Sequence, residues 1–331
     1  MEKIAEEKEA RGKFRGAISK LLMVQELGLI AFIIVFGVVI TIINPSFVSL
    51  ENIINILRSS VFVFIVGCGM TFVLVGGEID LSVGSVYGFA GIITAISLSF
   101  GINVPISILI GLICGTFIGF LSGTIVTRFK IPALVVTLGM LYIVRGLTLY
   151  ITRGETTYGM PESFKVIGQG SVLGIPNLVI AAIIIGIISH TILEYTRFGY
   201  NVRSVGGNKQ AAIAAGINVR MIRILLFVIS GIMCAIAGIL ITGRLSVGTP
   251  SVGYGFELYV ISAVIIGGVS LYGGIGSIFG TFLGALLISI IQNGMIMMRV
   301  SPYWQNMVVG GIMIFAVGID QWRRGRMWKI R

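Results

Sequence analysis

Long apolar runs, nearly free of charge, recur from residue 27 to residue 320. Each is about long enough to cross a hydrocarbon core of about 30 Å as a helix, and a helix satisfies its own backbone groups where water is absent. The pattern predicts an all-α, polytopic membrane protein of about ten transmembrane helices. The spans fall at about 27–43, 61–76, 86–100, 105–126, 133–152, 175–193, 224–242, 258–271, 275–297 and 304–320. The membrane domain is therefore 27–320, preceded by a cytoplasmic segment, 1–26, and followed by a basic cytoplasmic tail, 321–331. The head carries mixed charge, and the apolar run after it lacks a small-residue cleavage site, so no cleavable signal peptide is expected.

Composition supports this division. The 331 residues are 56% hydrophobic and 11% charged, against roughly 25% charged in a soluble domain. The net charge of +11 would suit a nucleic-acid binder, but its placement reads as orientation instead. With the N-terminus inside, eighteen of the 24 Lys and Arg fall in inner segments, five in outer loops, and Arg145 alone within a span. The positive-inside rule then puts both termini in the cytoplasm and the chain in the cell's inner membrane. Cys68, Cys114 and Cys234 lie inside apolar runs with no metal-ligand spacing, so they read as packing residues. No metal, cofactor or catalytic constellation is expected.

Two stretches longer than a turn interrupt the spans: an outer loop from Thr152 to Ile175 and a basic inner one from Glu194 to Arg223. There is also an internal echo. "GGEIDLSVGSVYGFAG" (Gly76 to Gly91) is matched by "GGVSLYGGIGSIFGTFLG" (Gly267 to Gly284), each where an inward span meets the next outward one. Duplicated interruptions of this kind point to a transport pathway. A charge at the bilayer centre costs at least about 2.5–3.5 kcal/mol, so Glu78 and Asp80 must reach water, a pore or a partner. Two compatible accounts are open: Asp80 or Ser82 caps the following helix after a glycine stop, or the glycines break a span beside a water-filled path. Gly111, Gly115, Gly119 and Gly123 form one small-residue stripe and Gly276, Gly280 and Gly284 another, both suited to close helix packing.

The inner loop contains "SVGGNKQAAIAAGINVRMIR". Gly206 and Gly207 permit a sharp entry, Asn208 is an N-cap, Lys209 to Ala215 forms a short helix, and Gly216 supplies a left-handed stop before Ile217. The product is a two-turn helix with an exposed Ala and Ile face, Ala211 and Ala212 among them. It suits either a groove on another protein or the headgroup layer.

A few polar residues remain. Arg145 either snorkels to the outer interface or donates to hydroxyls in a path. Gln292 and Asn293 either bridge helices or line the path. His190, near Glu194, has no second His or Cys beside it to make a metal site.

At these motifs the chain resembles the permease subunits of ribose-type ATP-binding-cassette sugar importers. The likeness runs through "GGEIDLSVGS", "GGNKQAAIAAGINV", "ISGIMCAIAGILITGRL", "GGVSLYGGIGSIFGTFLGALLI", "QNGM" and "AVGID", in that order. It implies a permease homodimer or pseudo-dimer around one path in the lipid bilayer, with a cytoplasmic ATP-binding-cassette subunit and an extracytoplasmic sugar-binding protein as partners. It further implies that Gly206 to Val219 is the segment coupling to the ATPase, and that the outer loops Thr152 to Ile175 and Gly243 to Glu257 receive the binding protein. No G-x-x-x-x-G-K-[ST] loop is present, so ATP chemistry would belong to the partner. Permeases for nucleosides or branched-chain amino acids share this architecture. An ion-coupled secondary transporter would instead need Glu78 or Asp80 to face the path.

Overall fold

The computed structural model describes residues 25–301 and, beyond them, 303–305, 307, 308, 310, 311, 314, 318 and 321. The expected head, the basic tail and much of the tenth span lie outside the described residues. Among the described residues, seven helices are long and apolar enough to cross a membrane, and two shorter apolar ones accompany them.

The helices are α1 (Gln25–Ile43), α2 (Leu50–Val75), α3 (Val83–Ser99), α4 (Val104–Arg128) and α5 (Ala133–Thr152) in the first half. There follow α6 (Glu162–Gln169), a two-residue hairpin of β1 (Ser171–Val172) and β2 (Ile175–Pro176), and α7 (Asn177–Tyr195). Next come α8 (Arg197–Gly207), α9 (Lys209–Ala214), α10 (Val219–Leu245), α11 (Phe256–Ile266) and α12 (Ile278–Met297). The fold is all-α apart from the hairpin and one isolated bridge between Thr157 and Gly248.

Two helices form the centre. α2 is buried along nearly its whole C-terminal two-thirds, packing on α12, α11, α7 and α10, while α10 packs on α4, α3 and α2. The expected glycine stripes are what bring these backbones together. A Cβ on Gly115 would lie 2.8 Å from the Gly231 carbonyl oxygen, and one on Gly123 would lie 2.9 Å from Ile224 Cα. Gly280 and Gly284 likewise receive the carbonyls of Gly267 and Ala263 on α11. Both stripes are packing surfaces, as small residues at helix contacts in membranes usually are.

Three expectations on span limits are corrected. α2 begins at Leu50, not near 61, because its first turns, "LENIINILRSS", are polar enough to hide in a hydropathy window yet start from a good cap: Ser49 Oγ accepts from the Asn52 amide at 3.3 Å. α10 runs on to Leu245, its C-terminal carbonyl at Arg244 accepting from Gln169 Nε2 at 2.9 Å. The eighth span, expected at about 258–271, becomes the 11 residues of α11, because Gly267 and Gly268 stop the helix at Ile266. The outer loop expected from Thr152 to Ile175 is partly ordered by α6.

Candidate functional site

The two echoed glycine pairs share one backbone. Gly76 and Gly267 are right-handed caps, with φ −74° and −64°, and Gly77 and Gly268 follow at φ +78° and +94°, which glycine adopts without steric cost. Each turn closes with the same two bonds, Gly77 N to Leu74 O and Glu78 N to Val73 O in one, Gly268 N to Ile265 O and Val269 N to Val264 O in the other. This is the Schellman pattern. The echo read in the sequence is therefore a structural repeat at the inner ends of α2 and α11.

The first turn runs along α10. Glu78 forms an ion pair with Arg223, both nearly buried. Asp80 is 3% exposed; its Oδ1 accepts from Ser82 N at 2.9 Å and Ser82 Oγ at 2.6 Å, and its Oδ2 from Ser230 Oγ at 2.7 Å. Ser230 lies eleven residues into α10, about 16 Å along its axis at 1.5 Å per residue. The carboxylate is thus at membrane depth, satisfied by hydrogen bonds from hydroxyls and an amide. The capping account needs correction: Ser82 occupies the cap position of α3 without a side-chain cap bond, and Asp80 takes the Ser82 amide, one residue short of the helix.

A third glycine pair meets these two. A Cβ on Gly206 would lie 2.9 Å from Gly274 N and 2.9 Å from the Gly76 carbonyl carbon, and still closer to Val75 O. Gly274 N donates to Val75 O at 2.8 Å, and a Cβ on Gly273 would sit 2.5 Å from Gly206 O. The end of α8, the α2–α3 turn and the α11–α12 turn therefore close on one point. Gly206 and Gly207 are helical, not a sharp entry; the direction changes at Asn208, whose backbone is extended (φ −153°, ψ 100°). What Gly206 supplies is room for backbone to approach.

Asn208 caps α9, its Oδ1 accepting from Ala211 N at 3.0 Å, and Gly216 follows at φ +78°, both as expected. The face differs from expectation. Ala212 is buried, and Ile217 packs partly buried against the core, so the outward apolar side chains are Ala211, Ile213, Ala214 and Ala215, with Ile213 54% exposed.

On the outer side, Ser246–Gly255 descends beside α3. Gly248 sits beside Ala95, Val252 O faces Gly88, and Gly253 O faces Gly84, a descent of eleven residues along α3, or about 16 Å. The loop assigned to the surface thus enters the membrane domain. Arg145 does not snorkel: it is 7% exposed, and its Nη1 donates to Val252 O at 2.9 Å and Pro250 O at 3.4 Å. Tyr254 stacks on its guanidinium at 3.9 Å. Glu257 Oε2 is buried without a hydrogen-bond partner.

Asn293 pairs reciprocally with Asn52 at 2.8 and 3.0 Å, bridging α12 to α2. Gln292 is half-buried on the same turn, its side chain making no hydrogen bond to another described residue. His190 meets the Tyr195 ring edge-on at 5.8 Å, and Glu194 pairs with Arg203 instead. No group of three or more His, Cys, Asp or Glu among the described residues could hold a metal. Sequence reasoning missed Ser230, Arg223 and Tyr254 as partners. Arg223 and Ser230 stand inside quoted motifs, as Gly273 and Gly274 stand inside the echo, but nothing in the sequence says what they meet.

Duplicated inner turns, a non-helical segment at membrane depth and the capped helix α9 mark the class: a multi-pass α-helical permease, a transport component of the inner membrane. Over residues 52–317 the chain matches, and belongs to, the family described as "Branched-chain amino acid transport system / permease component". It is 34% identical to the L-arabinose ABC transporter permease protein of Azospirillum brasilense over 96% of this chain and 93% of that one. It is 38% identical to the ribose import permease protein of Haemophilus influenzae, over 91% and 94%. The D-allose transport system permease protein of Escherichia coli is 36% identical over 83% and 85%. No solved structure gives a significant match.

Proposed function

We propose that the chain is the transmembrane subunit of an ATP-binding-cassette importer for a monosaccharide, a ribose-like pentose or a hexose. The sugar arrives on an extracytoplasmic binding protein, and a separate cytoplasmic ATPase supplies the energy. A second copy of the permease completes the path. The relatives named above carry two pentoses and a hexose by their names, which favours sugar over the branched-chain amino acids of the family description.

The observation that carries the coupling is the glycine junction. The 194–223 region ends α8 against both inner turns, so a displacement of α9 by a partner reaches Glu78, Asp80 and the start of α12 through backbone contacts, with no flexible side chain between. Ala211 and Ile213 are the contact face for the ATPase, Asn208 and Gly216 fix its two ends, and Ala212 and Ile217 anchor it from behind. ATP-driven closure of the ATPase pair moves these segments as near-rigid bodies and switches the side to which the path opens. The Glu78–Arg223 pair and the Asp80–Ser230 bond then hold the inner turn on α10 in one of the two states, and Arg145 holds the descending segment on the outer side.

Reconstitution with candidate ATPase and binding proteins tests the reading, with ligand-stimulated hydrolysis measured across pentoses, hexoses, nucleosides and amino acids. Stimulation by a pentose or hexose is expected. Uptake driven by a proton gradient without ATP would sink the importer reading; stimulation by nucleosides or amino acids alone would replace the substrate.

A further inference from the structure

On the cytoplasmic side, the inner ends of α4, α5 and α10 and the start of α9 enclose a cleft of about 380 Å³. Four cations line it, Lys130, Lys209, Arg220 and Arg223, over a floor that includes Val126 and Val219. Arg223 is neutralised by Glu78. Lys130, Lys209 and Arg220 have no ion-pair partner among the described residues, and no acidic side chain lines the cleft. Like charges around one cavity repel, and an anion placed among them relieves the repulsion. The first turn of α10 adds the positive end of its dipole, since Val219 and Arg220 are at its start.

The position of the cleft selects the kind of anion. It opens beside the turn that joins α4 to α5, where Phe129 is 69% exposed and Ile131 37% exposed on either side of Lys130. Apolar side chains left outward next to a cation, at the inner end of spanning helices, match the headgroup boundary of the cytoplasmic leaflet. Basic pockets between helices on that side suit phospholipid phosphate. A soluble anion would gain nothing from Phe129 and Ile131, whereas acyl chains would cover them.

We propose that this cleft binds the phosphate of an anionic phospholipid of the cytoplasmic leaflet, and that the bound phosphate ties α9 to the membrane helices. Lys209 is the first residue of α9, while Lys130 and Arg220 belong to the membrane domain, so a phosphate among the three bridges the two parts. The site thereby makes the seating of α9 depend on lipid charge.

The test titrates delipidated permease with phosphatidylglycerol, phosphatidylcholine or inorganic phosphate and reads bound adducts by native mass spectrometry. The unaltered protein is expected to retain phosphatidylglycerol in preference to phosphatidylcholine. K130Q/R220Q should weaken that retention about 25-fold, at about fivefold for each cation near an anionic surface. K130R/R220K, which keeps the charge, should retain the lipid, and this separates loss of the site from loss of folding. In nanodiscs with the ATPase, phosphatidylglycerol should raise hydrolysis of the unaltered complex more than that of K130Q/R220Q. Equal phosphatidylglycerol retention by K130Q/R220Q would overturn the proposal, and so would inorganic phosphate binding as tightly as the lipid. Loss of ATPase co-purification with lipid retention unchanged would assign the cleft to an acidic protein surface, and overturn it too. Lipid retention is read on the permease alone, so it stands or falls apart from the substrate and the coupling route.

Discussion

Replacing Gly206 by alanine adds one methyl group at the point where three backbones meet. That Cβ would lie 2.9 Å from Gly274 N and from the Gly76 carbonyl carbon, with Val75 O nearer still. None of these is the end of a flexible side chain, so α8 must move away from the turns or the turns from each other. Overpacking of this kind costs about 1–3 kcal/mol, and separating Gly274 N from Val75 O, now 2.8 Å apart, forfeits a bond worth about 0.5–1.5 kcal/mol. If only 1–2 kcal/mol of this falls on one of the two transport states, their ratio shifts about five- to thirtyfold. The assay is uptake and ligand-stimulated ATP hydrolysis by the reconstituted complex, with co-purification of the ATPase as the check on assembly. Gly206→Ala is expected to assemble, to hydrolyse ATP with weakened response to ligand, and to lose at least about fivefold in uptake. Gly207→Ala is the control within the same turn, because its Cβ meets nothing nearer than Gly274 Cα at 4.0 Å; it should stay within about twofold. Equal uptake by Gly206→Ala and the unaltered protein would refute the junction as the transmission point.

Asp80→Ala leaves Ser230 Oγ and the Ser82 amide without their acceptor, and hydrogen bonds to a charged group are worth about 1.5–3 kcal/mol each; a thermal midpoint unchanged by this substitution would remove Asp80 from the structural frame. Arg145→Met orphans the carbonyls of Pro250 and Val252 at membrane depth, at about 1–3 kcal/mol apiece, so binding-protein-dependent uptake should collapse while membrane insertion, checked by protease protection, persists. Gly88→Ala drives a Cβ into Val252 O and should lower the melting temperature by the equivalent of about 1–3 kcal/mol; an unshifted melt would mean the segment is free to move there. Ile213→Asp, on the outward face of α9, should lose ATPase co-purification with no change in the permease melting curve, and retained co-purification would move the docking face elsewhere.

Much of the architecture was legible because the bilayer imposes one length scale on a sequence. α1, α4, α5, α7 and α12 stand close to where apolar runs put them. α2 is longer than its apolar run because a hydropathy window discards the polar turns Leu50 to Ser60, which are helical all the same. The echo was legible since the Schellman geometry demands glycine at a positive φ, as at Gly77 and Gly268, and leaves it in the sequence. Gly206 is visible in the sequence but its role is not: a glycine needed for close approach looks the same in sequence as one needed for a turn. Asp80 stands out by its cost in a membrane, but its partner, Ser230, is 150 residues away, inside the quoted motif "ISGIMCAIAGILITGRL", where nothing ties it to Asp80. That Ala212 faces inward is not legible, because an alternation of Ala and Ile does not fix the phase of a six-residue helix.

The two inner turns are alike, yet what enters them is not, and the difference bears on where a solute could pass. α2 reaches its turn as a helix of 26 residues. α11 covers only 11, about 16 Å of rise and roughly half of the hydrocarbon thickness. The remaining depth is crossed by Ser246–Gly255 in non-helical form, and such backbone is tolerated at that depth only where protein buries it or water reaches it. Arg145 donates to two of its carbonyls, and the glycines of α3 let the rest come near. A buried guanidinium costs about 2.5–3.5 kcal/mol on insertion scales, comparable with what two bonds from a charged donor return, so Arg145 and the descending segment each make the other tolerable. Tyr254 is 59% exposed, and Glu257 Oε2, in the first turn of α11 just beyond the segment, lacks a hydrogen-bond partner, so polar groups remain available on that side. On that ground we propose that the path runs along the α3, α5 and Ser246–Gly255 side, not along the fully helical α2 side, where Asn52 and Asn293 bond to each other.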